Sequence, residues 1–220
     1  IVVGGADYHH LEQKVLDKPF RQYDEAYWSS RVMAPSSLVF YLGIKGRMKD
    51  VLHHNLFFDA DFKIHSEEIY TSKKWPTDPL FYMSAPSVTD DTIAPDGHEN
   101  LFILIPIAPD LEDTEAIREH YFSRVLERIK MITGEDLQDR IVYKRSYCVK
   151  DFKADYHSFQ GNAYGLANTL RQTAFMKPKM KSRKLDNLYF TGQLTVPGPG
   201  IPPALISGQI VAREVMKNYA

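Results

Sequence analysis

The chain has 220 residues, enough for one large domain or two small ones with an ample core. Its formal net charge of −1 gives no global field to hold nucleic acid, and a single cysteine, Cys148, excludes an internal disulfide and suits a reducing compartment. No apolar run approaches the ~20 residues that cross a bilayer as a helix. The start, Ile1-Val2-Val3-Gly4-Gly5, is too short and lacks the basic flank of a signal peptide. A strand that begins at once, with no Met at position 1, is the pattern expected of a piece of a longer protein.

Ile1 to Val3 reads as a buried-type strand, and Gly4-Gly5 with Ala6-Asp7 leads into a helix of about Tyr8 to Leu16. The glycines do not make a dinucleotide fingerprint, because the third glycine and the distant acidic residue are missing. His9-His10 and His53-His54 are adjacent pairs whose side chains diverge on a helix or a strand, with no third ligand at metal spacing, so no metal site is expected. Phe20 to Trp28 is a polar aromatic stretch packed by its rings. Ser37 to Ile44 is a strand by its β-branched and aromatic content, broken by Gly43, Gly46 and Arg47, and His54 to Phe58 is a second. Phe62 to Lys73 has Phe62, Ile64, Ile69 and Tyr70 among charges, the pattern of a short amphipathic helix, ended by Pro76 and Pro79.

Leu80 to Ala85 and Leu101 to Ala108 are the clearest pair of strands. Their link, Ser87 to Asn100, is acidic but lacks the alternating ligands and terminal Glu of a calcium loop, and reads as a solvated hairpin loop. Asp113 is placed to cap a helix running to about Thr133, closed by Gly134. Ile117, Tyr121, Phe122, Val125, Leu126, Ile129 and Ile132 share one face of it; Arg118, Glu119, Arg124, Glu127 and Lys130 share the other. Ile141 to Cys148 is a strand and Asp151 to Tyr156 a short helix. Arg171 to Lys184 is a basic loop, either solvated or a contact for anionic lipid.

The chain ends with its most ordered pattern. Leu188 to Phe190 is a compact buried-type strand. Gly192, Gly198 and Gly200 punctuate the loop that follows. Pro202 and Pro203 open a helix to about Lys217. A helix start behind a glycine loop presents a positive dipole end, which suits a phosphate or the electron-rich edge of a flavin ring. A tight strand–turn–helix with no ligand fits the same spacing.

The run Leu170-Arg171-Gln172-Thr173-Ala174-Phe175-Met176-Lys177-Pro178-Lys179, with Asn187-Leu188-Tyr189 and the Gly192 to Pro203 loop, resembles the C-terminal signature of bacterial-type phytoene desaturases. These are FAD-dependent carotenoid desaturases of the flavin amine oxidase superfamily. The likeness extends through Gly161-Asn162-Ala163-Tyr164-Gly165 back to Ala6-Asp7-Tyr8-His9-His10, and so covers essentially the whole chain. The family often has a His where this chain has Val196, so any role of that His does not carry over.

The resemblance implies a mixed α/β and α+β architecture, the C-terminal part of a two-domain FAD-linked oxidoreductase. Residues 1–16 and 161–220 would be segments of the FAD-binding domain, and 17–160 the carotenoid-binding domain. FAD would be held by Gly192, Gln193, Thr195, Gly200, Ile201, Pro202, Pro203 and Ala204. No nucleophile–base pair or Gly-x-Ser-x-Gly elbow is present, and a flavin enzyme needs neither, because the cofactor carries the redox chemistry. The implied partners are an apolar polyene such as phytoene, a membrane surface approached peripherally from the cytoplasm, and the N-terminal portion of the same protein, without which this piece would be inactive. Two other readings stay open. One is a different flavin oxidoreductase, such as a carotenoid isomerase, a retinoid saturase or an amine oxidase. The other is a non-catalytic carrier of apolar ligands.

Overall fold

The structure is a computed structural model describing residues 1–219. Its elements in chain order are β1 (Val2–Gly4), α1 (Tyr8–His10, continued by a π-helical turn over Leu11–Val15), α2 (Glu25–Ser29), β2 (Ser36–Lys45), β3 (His54–Phe57), α3 (Phe62–Glu67, continued by a π-helical turn over Glu68–Ser72), β4 (Phe81–Ser84), β5 (His98–Ile107), α4 (Glu115–Thr133), β6 (Ile141–Tyr147), α5 (Val149–Tyr156), β7 (Leu188–Phe190) and α6 (Ile201–Tyr219). The chain is a mixed α/β protein of two compact units: Ile1–Pro35 with Asp151–Ala220, and Ser36–Lys150. Residues 17–35 and 151–160 therefore group with the terminal segments. Aromatic packing accounts for part of this: Tyr8 stacks on Phe190 at 4.0 Å and lies 5.7 Å from the fully buried Trp28.

The middle unit is an antiparallel sheet in the order β3-β4-β5-β2-β6. β2 and β5 pair from Ser36↔Ile107 to Lys45↔His98. Alternation puts Leu38, Phe40, Leu42 and Ile44 of β2, with Leu101, Ile103, Ile105 and Ile107 of β5, on one buried face. The same core cluster takes Phe122, Val125 and Ile129 from α4. The expected break at Gly43 does not occur. β2 runs through it, and the glycine instead marks a register shift against β6 between Gly43 and Ile44, a bulge and not an end.

Several expectations about the helices need correction. Asp113 does not cap α4; Thr114 does, its hydroxyl accepting from the Ile117 N–H at 3.3 Å. Asp113 is occupied elsewhere: its two oxygens accept from Arg118 Nε and Nη2, each at 2.7 Å, and from the Lys150 N–H at 2.8 Å. Arg118 thus sits buried, not on the polar face. In the Phe62 to Lys73 segment, Phe62, Ile64 and Tyr70 are exposed, and the buried residues are His65, Glu68 and Ile69. Polar bonds draw that face inward. The Leu80 N–H donates to His65 Nδ1 at 2.9 Å, and the Thr77 N–H and hydroxyl donate to Glu68. The turn ends on Lys73 in the left-handed conformation (φ 48°), before either proline is reached.

In the terminal unit, β1 and β7 pair in parallel, Val2↔Leu188 to Gly4↔Phe190, and β7 is buried throughout. Glu12, from the turn after Tyr8, lies fully buried in this unit. Its Oε1 accepts from the Gln22 N–H at 3.0 Å, while Oε2 has no hydrogen-bond partner among the described residues. Burial pushes its carboxyl up from 4.5 to about 7. A raised carboxyl pKa works against the fold: stability is greatest below the unfolded value near 4.5 and falls as pH rises toward 7, where the folded state must also ionise. Glu12→Gln is therefore expected to raise unfolding free energy by about 2–3 kcal/mol near pH 8 and to change it little near pH 4. Melting curves of both proteins across that pH span test it; equal pH slopes would place Glu12 outside the effect.

Candidate functional site

The strand–loop–helix at the end of the chain is pinned from α6. Ser207, fully buried, takes the Gly192 N–H at 2.8 Å, lies 2.6 Å from the Thr191 hydroxyl, and donates to the Ala204 carbonyl at 2.5 Å. Thr195, also fully buried, donates its hydroxyl to the Gly192 carbonyl at 2.8 Å. The Thr191 N–H reaches the Gly4 carbonyl at 3.0 Å, which ties the loop to β1. The last turn of strand pairing, the loop and the helix thus form one cross-braced corner.

A cleft of about 400 Å³ opens at the carboxyl ends of the two parallel strands. That is the end at which open α/β sheets take ligands, and the volume is within the usual range of ligand pockets, about 300–1,000 Å³. Gly5, Ala6 and Asp7 line it after β1; Thr191, Gly192, Gln193 and Leu194 line it after β7; Ala204 of α6 and the 152–163 segment complete it. Asp7 is the cleft's carboxylate, and its oxygens are already engaged by the His10 N–H at 3.0 Å and the Phe159 N–H at 3.1 Å. Burial pushes that carboxyl up. Its role is to clip α1 to the Phe159 turn. Gly192 has φ 108°, and a Cβ there would meet nothing nearer than the Gly5 carbonyl oxygen at 4.0 Å. No packed neighbour fills the space beside Gly192, so a ligand can approach its backbone closely.

The residues expected at the site divide into two groups. Gly192, Gln193 and Ala204 line the cleft; Thr195 stands behind them as a brace; Gly200, Ile201, Pro202 and Pro203 form the start of α6 without lining it. The N–H donors of that start are few. Pro202 and Pro203 have none, and the Ala204 N–H already donates to the Gly200 carbonyl at 2.9 Å, which reduces the donors among Ile201, Pro202, Pro203 and Ala204 to that of Ile201.

Lys177, within the basic loop expected to be solvated or to contact anionic lipid, does neither. It is 2% exposed, and its Nζ has no hydrogen-bond partner among the described residues. Its stem passes along Gly198, where a Cβ would stand 3.3 Å from Cε and 3.4 Å from Nζ. Burial holds its pKa below the usual range. Nothing in the sequence signals this, because the space is made by a glycine 21 positions later. The sequence marks Ser207 only as a small residue in the helix, with no signal of its bracing bonds.

In the middle unit, the sheet face opposite α4 is aromatic. Tyr41 stands across from Phe102 with ring centroids 5.5 Å apart, Tyr82 lies 6.3 Å from Phe102, and the His54 ring stacks near Tyr82, hydrogen-bonded to its hydroxyl at 2.6 Å. Leu104 and Pro106 share that face and are half-buried. No group of His, Cys, Asp and Glu suited to a metal ion occurs among the described residues, and no helix among them is long and apolar enough to cross a membrane.

No family model matches the chain. It is similar to a carotenoid 3,4-desaturase of Haloarcula japonica, with 46% identity over 100% of this chain and 44% of that protein. A zeta-carotene-forming phytoene desaturase of Myxococcus xanthus is 30% identical over 98% of this chain and 42% of its own length. A 4,4'-diaponeurosporene oxygenase of Staphylococcus aureus is 31% identical over 96% of this chain and 41% of its own length. The chain thus spans under half the length of the curated relatives it matches. Over nearly its whole length the chain is similar in sequence to part of these carotenoid desaturases.

Proposed function

We propose that the protein to which this chain belongs is an FAD-dependent desaturase of an apolar polyene in carotenoid biosynthesis, and that the chain is its C-terminal portion. The observation that carries the reading is the cleft at the ends of β1 and β7, with the bare backbone of Gly192 beside it. The residues there leave room for a flat ring: a glycine with open space at its Cβ position, and the small side chains of Ala6 and Ala204. Flavin, when bound, supplies the oxidant for removing hydrogen from an unactivated carbon chain.

The chain's own residues do three things in this account. Gly192, Gln193 and Ala204 shape the cleft, and Ser207 and Thr195 hold it rigid. The open aromatic face of the middle unit offers Tyr41, Tyr82, Phe102 and Leu104 as a platform for a long apolar ligand. Exposed Leu170 and Phe175 beside Lys179, Lys181, Arg183 and Lys184 support peripheral docking on an anionic membrane from the cytoplasm, where polyenes partition. Exposed Val2 and Val3 on β1, with Leu205 and Ile206 on α6, support the N-terminal portion of the protein as the cover of those surfaces.

The oxygenase among the relatives favours a second reading, oxygen insertion at a polyene end instead of desaturation. The full-length protein should be offered phytoene-like polyenes, retinoids and amines, and its products read by absorption and mass. Loss of two hydrogens per added double bond is expected. Gain of oxygen would establish the second reading, and turnover of amines or retinoids alone would overturn both. Polyene extraction by a protein without flavin absorbance would leave a carrier.

A further inference from the structure

A second cleft, of about 840 Å³, opens in the terminal unit along the segment between α1 and α2. Three cations line it, Lys18, Arg21 and Lys184, together with two carboxylates, Asp24 and Glu25. The carboxylates are engaged on their own side. Asp24 Oδ1 accepts from the Tyr27 N–H at 2.8 Å as the cap of α2, and Glu25 Oε2 lies 3.0 Å from His9 Nε2. The cations have no such counter-charge. Arg21 donates from Nε to the Leu16 carbonyl at 3.0 Å and from Nη1 to the Gln13 side-chain oxygen at 3.2 Å, which fixes the guanidinium and leaves Nη2 without a partner among the described residues. No hydrogen bond or ion pair among the described residues holds Nζ of Lys18 or Lys184. Lys184 closes the basic loop, and that loop is fastened to the cleft wall. The Lys179 N–H donates to the Tyr23 hydroxyl at 3.0 Å, and the Arg183 N–H to the Gln22 side-chain oxygen at 3.3 Å. Cations gathered on one concave site repel one another, and an anion with several oxygens relieves that. Val15 and Phe20, which flank Lys18 in the chain, are exposed, as is Phe175 of the basic loop. Apolar side chains among cations are the composition of a surface that rests in a headgroup layer.

We propose that this cleft binds the phosphate of an anionic phospholipid headgroup, with Lys18, Arg21 and Lys184 as its donors. This rests on the peripheral docking reading above and gives that docking one fixed point. A phosphate presents its oxygens tetrahedrally, so cations rooted in separate segments can reach it from different sides; a carboxylate presents two in one plane. The buried Glu12 carboxyl also feels Arg21, but burial raises it to about 7, so it cancels that charge only in part at neutral pH. A soluble phosphate ester has the same chemistry, and the exposed Val15, Phe20 and Phe175 are what favour the source in a bilayer.

The test uses the full-length protein and phosphatidylcholine vesicles that carry either phosphatidylglycerol or the same charge as a phosphate-free carboxylate lipid, cholesteryl hemisuccinate. Co-sedimentation is expected to show the phosphatidylglycerol vesicles bound several-fold tighter. Lys18→Gln with Lys184→Gln should weaken binding to them by about tenfold or more and abolish the preference. Both lysines are exposed and make no side-chain bond among the described residues, so the melting temperature should not move. Lys181→Gln with Arg183→Gln removes equal charge from the same loop outside the cleft lining, and should weaken binding to both vesicles while keeping the preference. Equal binding of the two vesicles by the unaltered protein would overturn the proposal and leave docking by charge alone. A preference that survives in the Lys18/Lys184 variant, or that is lost in both double variants, would overturn it as well. Should the Lys18/Lys184 variant not fold, excess glycerol 3-phosphate decides, compared with chloride at equal ionic strength: it should erase the preference of the unaltered protein, and a preference that persists would overturn the cleft as its source. Glycerol 3-phosphate bound by a protein that sediments with no vesicle would make this a site for a soluble ester and overturn the lipid source. Failure to bind either vesicle would sink the docking reading itself, a result distinct from binding both without preference.

Discussion

Arg118→Met is expected to lower the unfolding free energy of the protein by about 3–5 kcal/mol, the usual cost of removing one partner from a buried ion pair. The pair is two-pronged, Nε and Nη2 to the two oxygens of Asp113 at 2.7 Å each, and Arg118 Nη1 also donates to the Ser146 hydroxyl at 3.1 Å. Asp113 is 2% exposed. Burial alone would push its carboxyl up, but the bonds from Arg118 and the Lys150 N–H outweigh it and hold the group below the usual carboxylate range. The single variant strands that carboxylate in a dry site. Replacing both residues, Asp113→Leu with Arg118→Met, should recover most of the loss, because no uncompensated charge remains. Denaturant titrations of the single and double variants test this. A single-variant change within about 0.5 kcal/mol would mean that solvent screens the pair as it does a surface one.

That pair also shows where sequence reasoning stops. The 3.6-residue period of Tyr121, Phe122, Val125 and Ile129 and the glycine at 134 make α4 legible, and the alternation along β5 makes the sheet legible. Arg118 fell on the polar side of the wheel because a guanidinium is polar by default. Its burial depends on where Asp113 lies in three dimensions. Phe62 and Ile64 fail in the opposite sense: they look like a core face, yet the hydrogen bonds of His65 and Glu68 turn the helix the other way. At the candidate site, the glycine and proline spacing located the strand, loop and helix start, since those residues report backbone geometry directly. Lys177 and Ser207 were not legible. Their roles are set by chain segments 21 and 16 residues away, Gly198 for the first and Thr191 for the second.

Gly192→Val in the full-length protein is expected to reduce bound flavin to about a tenth or less, a loss of about 1.4 kcal/mol or more in binding. Two effects combine. The valine branches would enter the cleft where the present Cβ position is open to 4.0 Å. A β-branched residue is also disfavoured at φ 108°, at an expected cost of about 1–3 kcal/mol to the fold. Gly192→Ala separates them, since it keeps most of the backbone strain with little of the bulk. Flavin absorbance and the melting transition, read on the same samples, should show valine losing far more flavin than alanine while the two melt alike. Equal flavin loss in both, tracking the melting shift, would reduce Gly192 to a structural turn.

The central claim, desaturation of a polyene by flavin held in this cleft, is tested most directly by one anaerobic turnover. Full-length protein carrying oxidised flavin is mixed with a phytoene-like polyene in vesicles, and both chromophores are followed together. The account predicts that the flavin band bleaches as the polyene absorption moves to longer wavelength, one added double bond for each flavin reduced. A polyene shift with the flavin band intact, or with no flavin bound, would contradict it.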